Sequence, residues 1–187
     1  MSMRWIVDTS AWSRRDLSEV NAQLNDILGE HGDSVFVLSP AVLLELLRGP
    51  QNDEVAVERK TLTETMELLP ADAKTFELAA DAMEVLATHS AEAHRLPLAD
   101  LITAALAHQH GCGVIHLDED FEQLAQHSGL SFDQRRIALP GEDPEGGSGH
   151  PVADRQRALK RELARLLHQK PVSEAEEFLE RFVEALR

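Results

Sequence analysis

Residues 34–50 read SVFVLSPAVLLELLRGP, and this stretch decides the fold class. Residues 34–38 form a short, β-branched, apolar run of strand length. Ser39-Pro40 follow as a helix N-cap and a proline at the first helical position. An apolar helix then runs to Gly49-Pro50, a stop signal. The unit is a strand turning at once into a helix. One charge, Glu45, sits inside the apolar part of that helix.

The same alternation extends in both directions. Residues 4–8 (RWIVD) are an apolar run ending in an acid, and 113–117 (GVIHL) form another strand. Residues 16–31 carry Leu17, Val20, Leu24, Ile27 and Leu28 at helical spacing. Helices are expected over 53–69 and 72–90, with Pro70 between them. Further helices are expected over 96–110, closed by Gly111, and over 119–128, ended by Gly129. Residues 136–139 read as a last short strand. Strands alternating with helices pair in parallel through right-handed crossovers. The expected fold is a three-layer α/β/α sandwich with a central, mostly parallel sheet, plus a C-terminal helical hairpin. Ligands of such sheets bind at the carboxyl ends of the strands.

The chain has 187 residues, enough for one domain, here residues 1–140, and an appendage. Residues 141–151 (GEDPEGGSGHP) read as a flexible linker. Residues 152–187 read as a helical tail. Leu159, Leu163, Leu166 and Leu167 line one face of it, and Phe178, Leu179, Phe182, Val183 and Leu186 line another. Lys170-Pro171 breaks the tail, and Ser173 with Glu176 makes a capping box. Four readings of the tail stand: packing on its own domain, extending a dimer interface, lying across the functional groove, or a fused segment behind Gly-Gly-Ser-Gly.

No apolar run approaches the roughly 18 residues of a membrane span, and Asp8 interrupts the first one. A lone cysteine, Cys112, forms no intrachain disulfide. A soluble, cytoplasmic protein without membrane contact is expected. The net charge is −15. Residues 151–187 hold eight Lys/Arg against seven Asp/Glu, so the charge lies almost wholly in residues 1–150. Nucleic-acid binding by counterion release alone is thereby disfavoured. An acidic domain can still process RNA if divalent ions neutralise its site, or it can meet a basic partner.

The acids are placed for chemistry. Asp8 ends the first strand, and Asp118 follows the strand at 113–117, with Asp120 two residues on. Parallel pairing brings Asp8 and Asp118 to one edge of the sheet. Glu45 and Asp100 enter from adjacent helices, Asp100 from a first helical turn where a carboxylate is favoured. Such convergence is costly unless protons or a hard cation intervene, and Mg²⁺ or Mn²⁺ prefers oxygen ligands. Each acid also has a plain reading alone. Asp8, Asp118 and Asp120 can cap, Asp100 can start a helix, and Glu45 can reach solvent.

Several enzyme classes are excluded. There is no Gly-x-Ser-x-Gly elbow and no phosphate loop bearing Lys. His108 and His110 face different directions on one helix, so they make no zinc pair. Cys112 in GCG reads as a small packed residue. A second Asp two residues after Asp8 is lacking, since Ser10 stands there, and no Lys follows a late strand. Both absences remove phosphotransfer folds from consideration.

Four segments resemble, in order, the motifs of the PIN-domain family, in particular VapC-type toxin ribonucleases: WIVDTSAW, PAVLLELLRG, LPLADLITAALAHQHG and GVIHLDEDFEQLA. Together they cover roughly residues 4–139. The resemblance implies a Mg²⁺ or Mn²⁺ cluster of Asp8, Glu45, Asp100 and Asp118, with Asp120 as an outer carboxylate. It implies that Thr9 and Ser10 steady the first Asp. His116 stands where many members have Thr or Ser, and reads either as orienting a water or phosphate oxygen or as a buried core histidine. Arg14, Arg15 and Arg48 lie near the motifs as candidate RNA-phosphate contacts; Arg48 reads equally as satisfying helix carbonyls. The implied function is metal-dependent RNA phosphodiester hydrolysis, by a homodimer held in check by a cognate antitoxin. A PIN-like binding module with little nuclease activity, working through a protein partner, is the alternative.

Overall fold

The computed structural model describes residues 3–30, 34–49, 53–89 and 95–139. The linker and the tail lie outside these residues, so the expected hairpin does too. Twelve elements alternate along the described chain: β1 (Arg4–Val7), α1 (Thr9–Trp12), α2 (Ser18–Glu30), β2 (Val35–Leu38), α3 (Pro40–Leu46), α4 (Glu54–Thr65), β3 (Glu67–Leu68), α5 (Ala73–His89), α6 (Leu98–His110), β4 (Gly113–His116), α7 (Glu119–His127) and β5 (Asp133–Arg136).

The five strands form one sheet in the order β3-β2-β1-β4-β5. Every pairing is parallel. Ile6 lies opposite Val37 on one side and Val114 on the other. The chain winds outward from β1 to β3, then returns to place β4 on the other flank of β1. The order therefore reverses between β1 and β4, and a crevice opens at their carboxyl ends.

The period-2 alternation of the strands divides the interior into two layers. Ile6, Val37 and Val114 face one layer, with Leu43 of α3, Leu62 of α4, Ala82 and Leu86 of α5, Leu101, Ala104 and Leu106 of α6, and Phe121 of α7. Trp5, Val7 and Ile115 face the other, with Ala11 of α1 and Val20, Leu24 and Ile27 of α2. Helices thus cover both faces, and the expected α/β/α sandwich is present with an all-parallel sheet.

Gly113 marks the tightest contact in the sheet. A Cβ there would lie 2.2 Å from the ring of Trp5, its register partner on β1. Gly111 closes α6 with φ of +60°, a left-handed conformation that favours glycine.

Three expectations need correction. The helix expected over 53–69 stops at Thr65, and Glu67–Leu68 pairs with β2 as an edge strand. The last strand is Asp133–Arg136, not 136–139. Between β1 and α2 the chain makes an extra single-turn helix, α1, whose N-cap is Asp8.

Candidate metal centre

The site lies at the crevice between β1 and β4. Asp8 follows β1 directly, and its backbone N–H donates to the Ile115 carbonyl at 2.9 Å, tying it to β4. Its carboxylate turns back to cap α1, accepting from the Ser10 N–H at 2.8 Å. Ser10 Oγ in turn accepts from the Leu117 N–H at 3.1 Å. Ser10 therefore joins the loop bearing Asp8, through its backbone N–H, to the loop bearing Asp118, through its hydroxyl.

Thr9 reaches a second acid. Its hydroxyl donates to Glu45 Oε2 at 2.7 Å. That bond steadies the acid of α3, and the Thr9 backbone N–H is turned to Asp8 beside it in sequence. Glu45 is half-buried on α3 and lies within the electrostatic reach of both Asp8 and Asp100.

Asp100 occupies the first turn of α6 and is 8% exposed. Burial pushes its carboxyl up to about 8, and the charges of Asp8, Asp118, Asp120 and Glu45 push in the same direction. Burial also raises Asp8, against the lowering effect of its Ser10 and Thr9 hydrogen bonds, and Glu45 raises it further.

Asp118 is the N-cap of α7 and accepts from the Asp120 N–H at 3.3 Å. This turn folds Asp120 inward, and it is 5% exposed. Asp100, Asp118 and Asp120 each offer an oxygen, and the three lie within 4.8 Å of one another. Asp120 thus stands with Asp100 and Asp118 in one group of carboxylates. The donor set is all oxygen, with Asp8, Asp100 and Asp120 buried, and burial first and neighbouring acids second raise the carboxyls of Asp8 and Asp100. That chemistry fits a hard divalent cation.

His116 is fully buried. It stacks on Phe121 with ring centroids 5.1 Å apart, and its Nε2 lies 2.6 Å from Gln134 Oε1 on β5. Burial holds its pKa below the ordinary value. These contacts favour the core-histidine reading. Arg14 donates to the Ser10 carbonyl at 2.7 Å, and Arg15 donates to the Trp12 carbonyl at 3.1 Å while stacking over the Trp12 ring. Both guanidinium groups satisfy carbonyls of α1. Arg48 is exposed just beyond α3.

The sequence marks Ser39 as a cap but does not reveal its buried contact with Thr103. Ser39 Oγ caps α3 by accepting from the Ala41 N–H at 3.2 Å, and it lies 3.0 Å from Thr103 Oγ1 of α6. The spacing held a signal: Thr103 stands three residues after Asp100, on the same helical face.

Comparison with known proteins agrees with this architecture. The PIN domain family profile matches residues 5–126. Ribonuclease VapC11 of Mycobacterium tuberculosis is 27% identical over 128 residues, covering 67% of this chain and 94% of its own length. A VapC ribonuclease of Mycobacterium bovis matches to the same extent. Among solved structures, VapBC-1 from nontypeable Haemophilus influenzae superposes with a TM-score of 0.59 at 15% identity, over 72% of this chain and 98% of that one. VapBC2 from Rickettsia felis, bound to a promoter DNA fragment, gives 0.55 at 13% identity, over 73% and 100%. The structural likenesses bear on the fold, and the family match spans most of the sheet and its acids: the chain belongs to the PIN domain family.

Proposed function

We propose that this protein is a metal-dependent endoribonuclease and the toxin of a toxin–antitoxin pair. The observation that carries the reading is the setting of Asp100. Four further carboxylates surround it, and burial with their charge raises it to about 8. Held together without a cation, such a group is a standing cost to the fold. In this reading Asp8, Glu45, Asp100, Asp118 and Asp120 hold Mg²⁺ or Mn²⁺. A divalent ion there supplies positive charge against a phosphodiester and lowers the pKa of a water.

The chain's own part is positional. Ser10 joins the two loops that carry Asp8 and Asp118, and Thr9 aims Glu45. The low aromatic content, with six Phe, two Trp and no Tyr, offers little platform for base stacking. RNA is therefore gripped chiefly through its phosphates, by the metal and by arginines, of which Arg14 and Arg48 are exposed. The curated relatives are called VapC ribonucleases, which supports RNA as substrate. Leu44 and Val57, 67% and 65% exposed on α3 and α4, provide apolar area for an antitoxin partner or for a second copy. Among the described residues no helix is long and apolar enough to cross a membrane.

Cleavage of total cellular RNA tests the reading. Discrete fragments are expected with Mg²⁺ or Mn²⁺, absent with EDTA and absent in Asp100→Asn. Intact RNA with well-folded protein at every metal concentration would favour the binding-module alternative.

A further inference from the structure

The polar contact between Ser39 and Thr103 stands in apolar surroundings. Both residues are fully buried. Val42 and Leu43 of α3 and Leu101, Ala104 and Ala107 of α6 share one hydrophobic cluster. Apolar packing is non-directional and fixes the register of two helices loosely. A hydroxyl pair 3.0 Å apart fixes it at one point. That point is well placed. Ser39 begins α3, which carries Glu45, and Thr103 lies one turn beyond Asp100 on α6. Ser39 also follows β2 directly, so its position is set by the sheet.

We propose that Ser39 and Thr103 are positioning residues of the metal centre, fixing α3 against α6 so that Glu45 and Asp100 face one ion. This inference rests on the metal-binding reading above. Neither hydroxyl is a ligand; each acts through the carboxylate on its own helix. A merely structural role predicts something different. A merely structural hydroxyl pair would affect melting without affecting affinity for the ion, beyond the loss of the α3 cap that Ser39 also provides.

The test is Mn²⁺ binding to the full chain, followed by electron paramagnetic resonance of free Mn²⁺, with thermal melting in parallel. Thr103→Val, which removes one hydroxyl and keeps the Ser39 cap of α3, is expected to bind Mn²⁺ about 10- to 100-fold more weakly, the loss typical of groups that orient metal ligands. Ser39→Ala/Thr103→Val is expected to bind as weakly and to melt lower, because the cap is lost as well. Thr103→Ser, which keeps the hydroxyl, is expected to bind nearly as the wild type does. Wild-type affinity in the double variant would overturn the inference and leave the metal site standing. Absence of Mn²⁺ binding by the wild type would overturn the metal reading, and the inference with it. If the double variant does not fold, Thr103→Val alone carries the comparison, with the same two outcomes.

Discussion

Thr9 Oγ1 donates a 2.7 Å hydrogen bond to Glu45 Oε2, across 36 positions of sequence. The bond joins the turn after β1 to the last turn of α3. It leaves Glu45 with one oxygen committed and the other available to the site. A carboxylate on a helix has several rotamers, and ordering one of them costs conformational entropy. Thr9 meets part of that cost before any ion arrives.

Thr9→Val keeps the shape of the side chain and removes the donor. Mn²⁺ affinity is expected to fall about 10- to 100-fold, and Thr9→Ser is expected to retain it. Titration calorimetry of the three proteins checks this. Equal affinity in the valine variant would mean that Glu45 needs no such anchor.

The raised carboxyls make the metal-free protein sensitive to pH in a defined direction. Asp8 and Asp100 both hold their protons in the folded state at pH values where the unfolded chain has released them. For such groups the folded state is favoured at acid pH, and stability declines as pH rises above the ordinary carboxylate value of 3.8 towards about 8 for Asp100. In EDTA the melting temperature is expected to be higher at pH 5 than at pH 8. Asp100→Asn, which cannot ionise, is expected to flatten that difference. A wild-type melting temperature that does not fall over this interval would contradict the assigned shifts.

Gly113→Ala is expected to destabilise the fold without touching the chemistry. The new methyl group meets the Trp5 ring at 2.2 Å, and Trp5 is only 2% exposed, so the ring has nowhere to go. Overpacking of this kind costs about 1–3 kcal/mol. A lower denaturation midpoint with unchanged cleavage per folded molecule is expected. An unchanged midpoint would show that β1 and β4 separate easily.

The strand–helix alternation was legible because each strand near the site is apolar and ends at a capping residue. Residues 4–8, 34–38 and 113–117 all carried that mark, and the acids followed from where those runs stop. The edges of the sheet carried no such mark. Glu67–Leu68 is two residues long and exposed, so it reads as the tail of the preceding helix. In β5 the sequence is DQRR, and the apolar residues Ile137 and Leu139 that suggested a strand lie just beyond it. Edge strands are polar where they meet water, which hides them from hydrophobic patterning. The start of α7 at Glu119 was legible, but spacing alone does not show that its first turn buries Asp120 beside Asp100 and Asp118. The Ser39–Thr103 contact joins residues 64 apart and belongs to tertiary packing, which no local pattern reports.

The central claim is that these carboxylates form one divalent metal site. Titration of Mn²⁺ at pH 7, by calorimetry in two buffers of different ionisation heat, tests it most directly. Metal binding needs the ionised carboxylate, and Asp100, at about 8, is largely protonated at that pH. The expected result is binding with release of about one proton per ion, and loss of both the affinity and the proton in Asp100→Asn. No binding, or binding unchanged in Asp100→Asn, would contradict the claim.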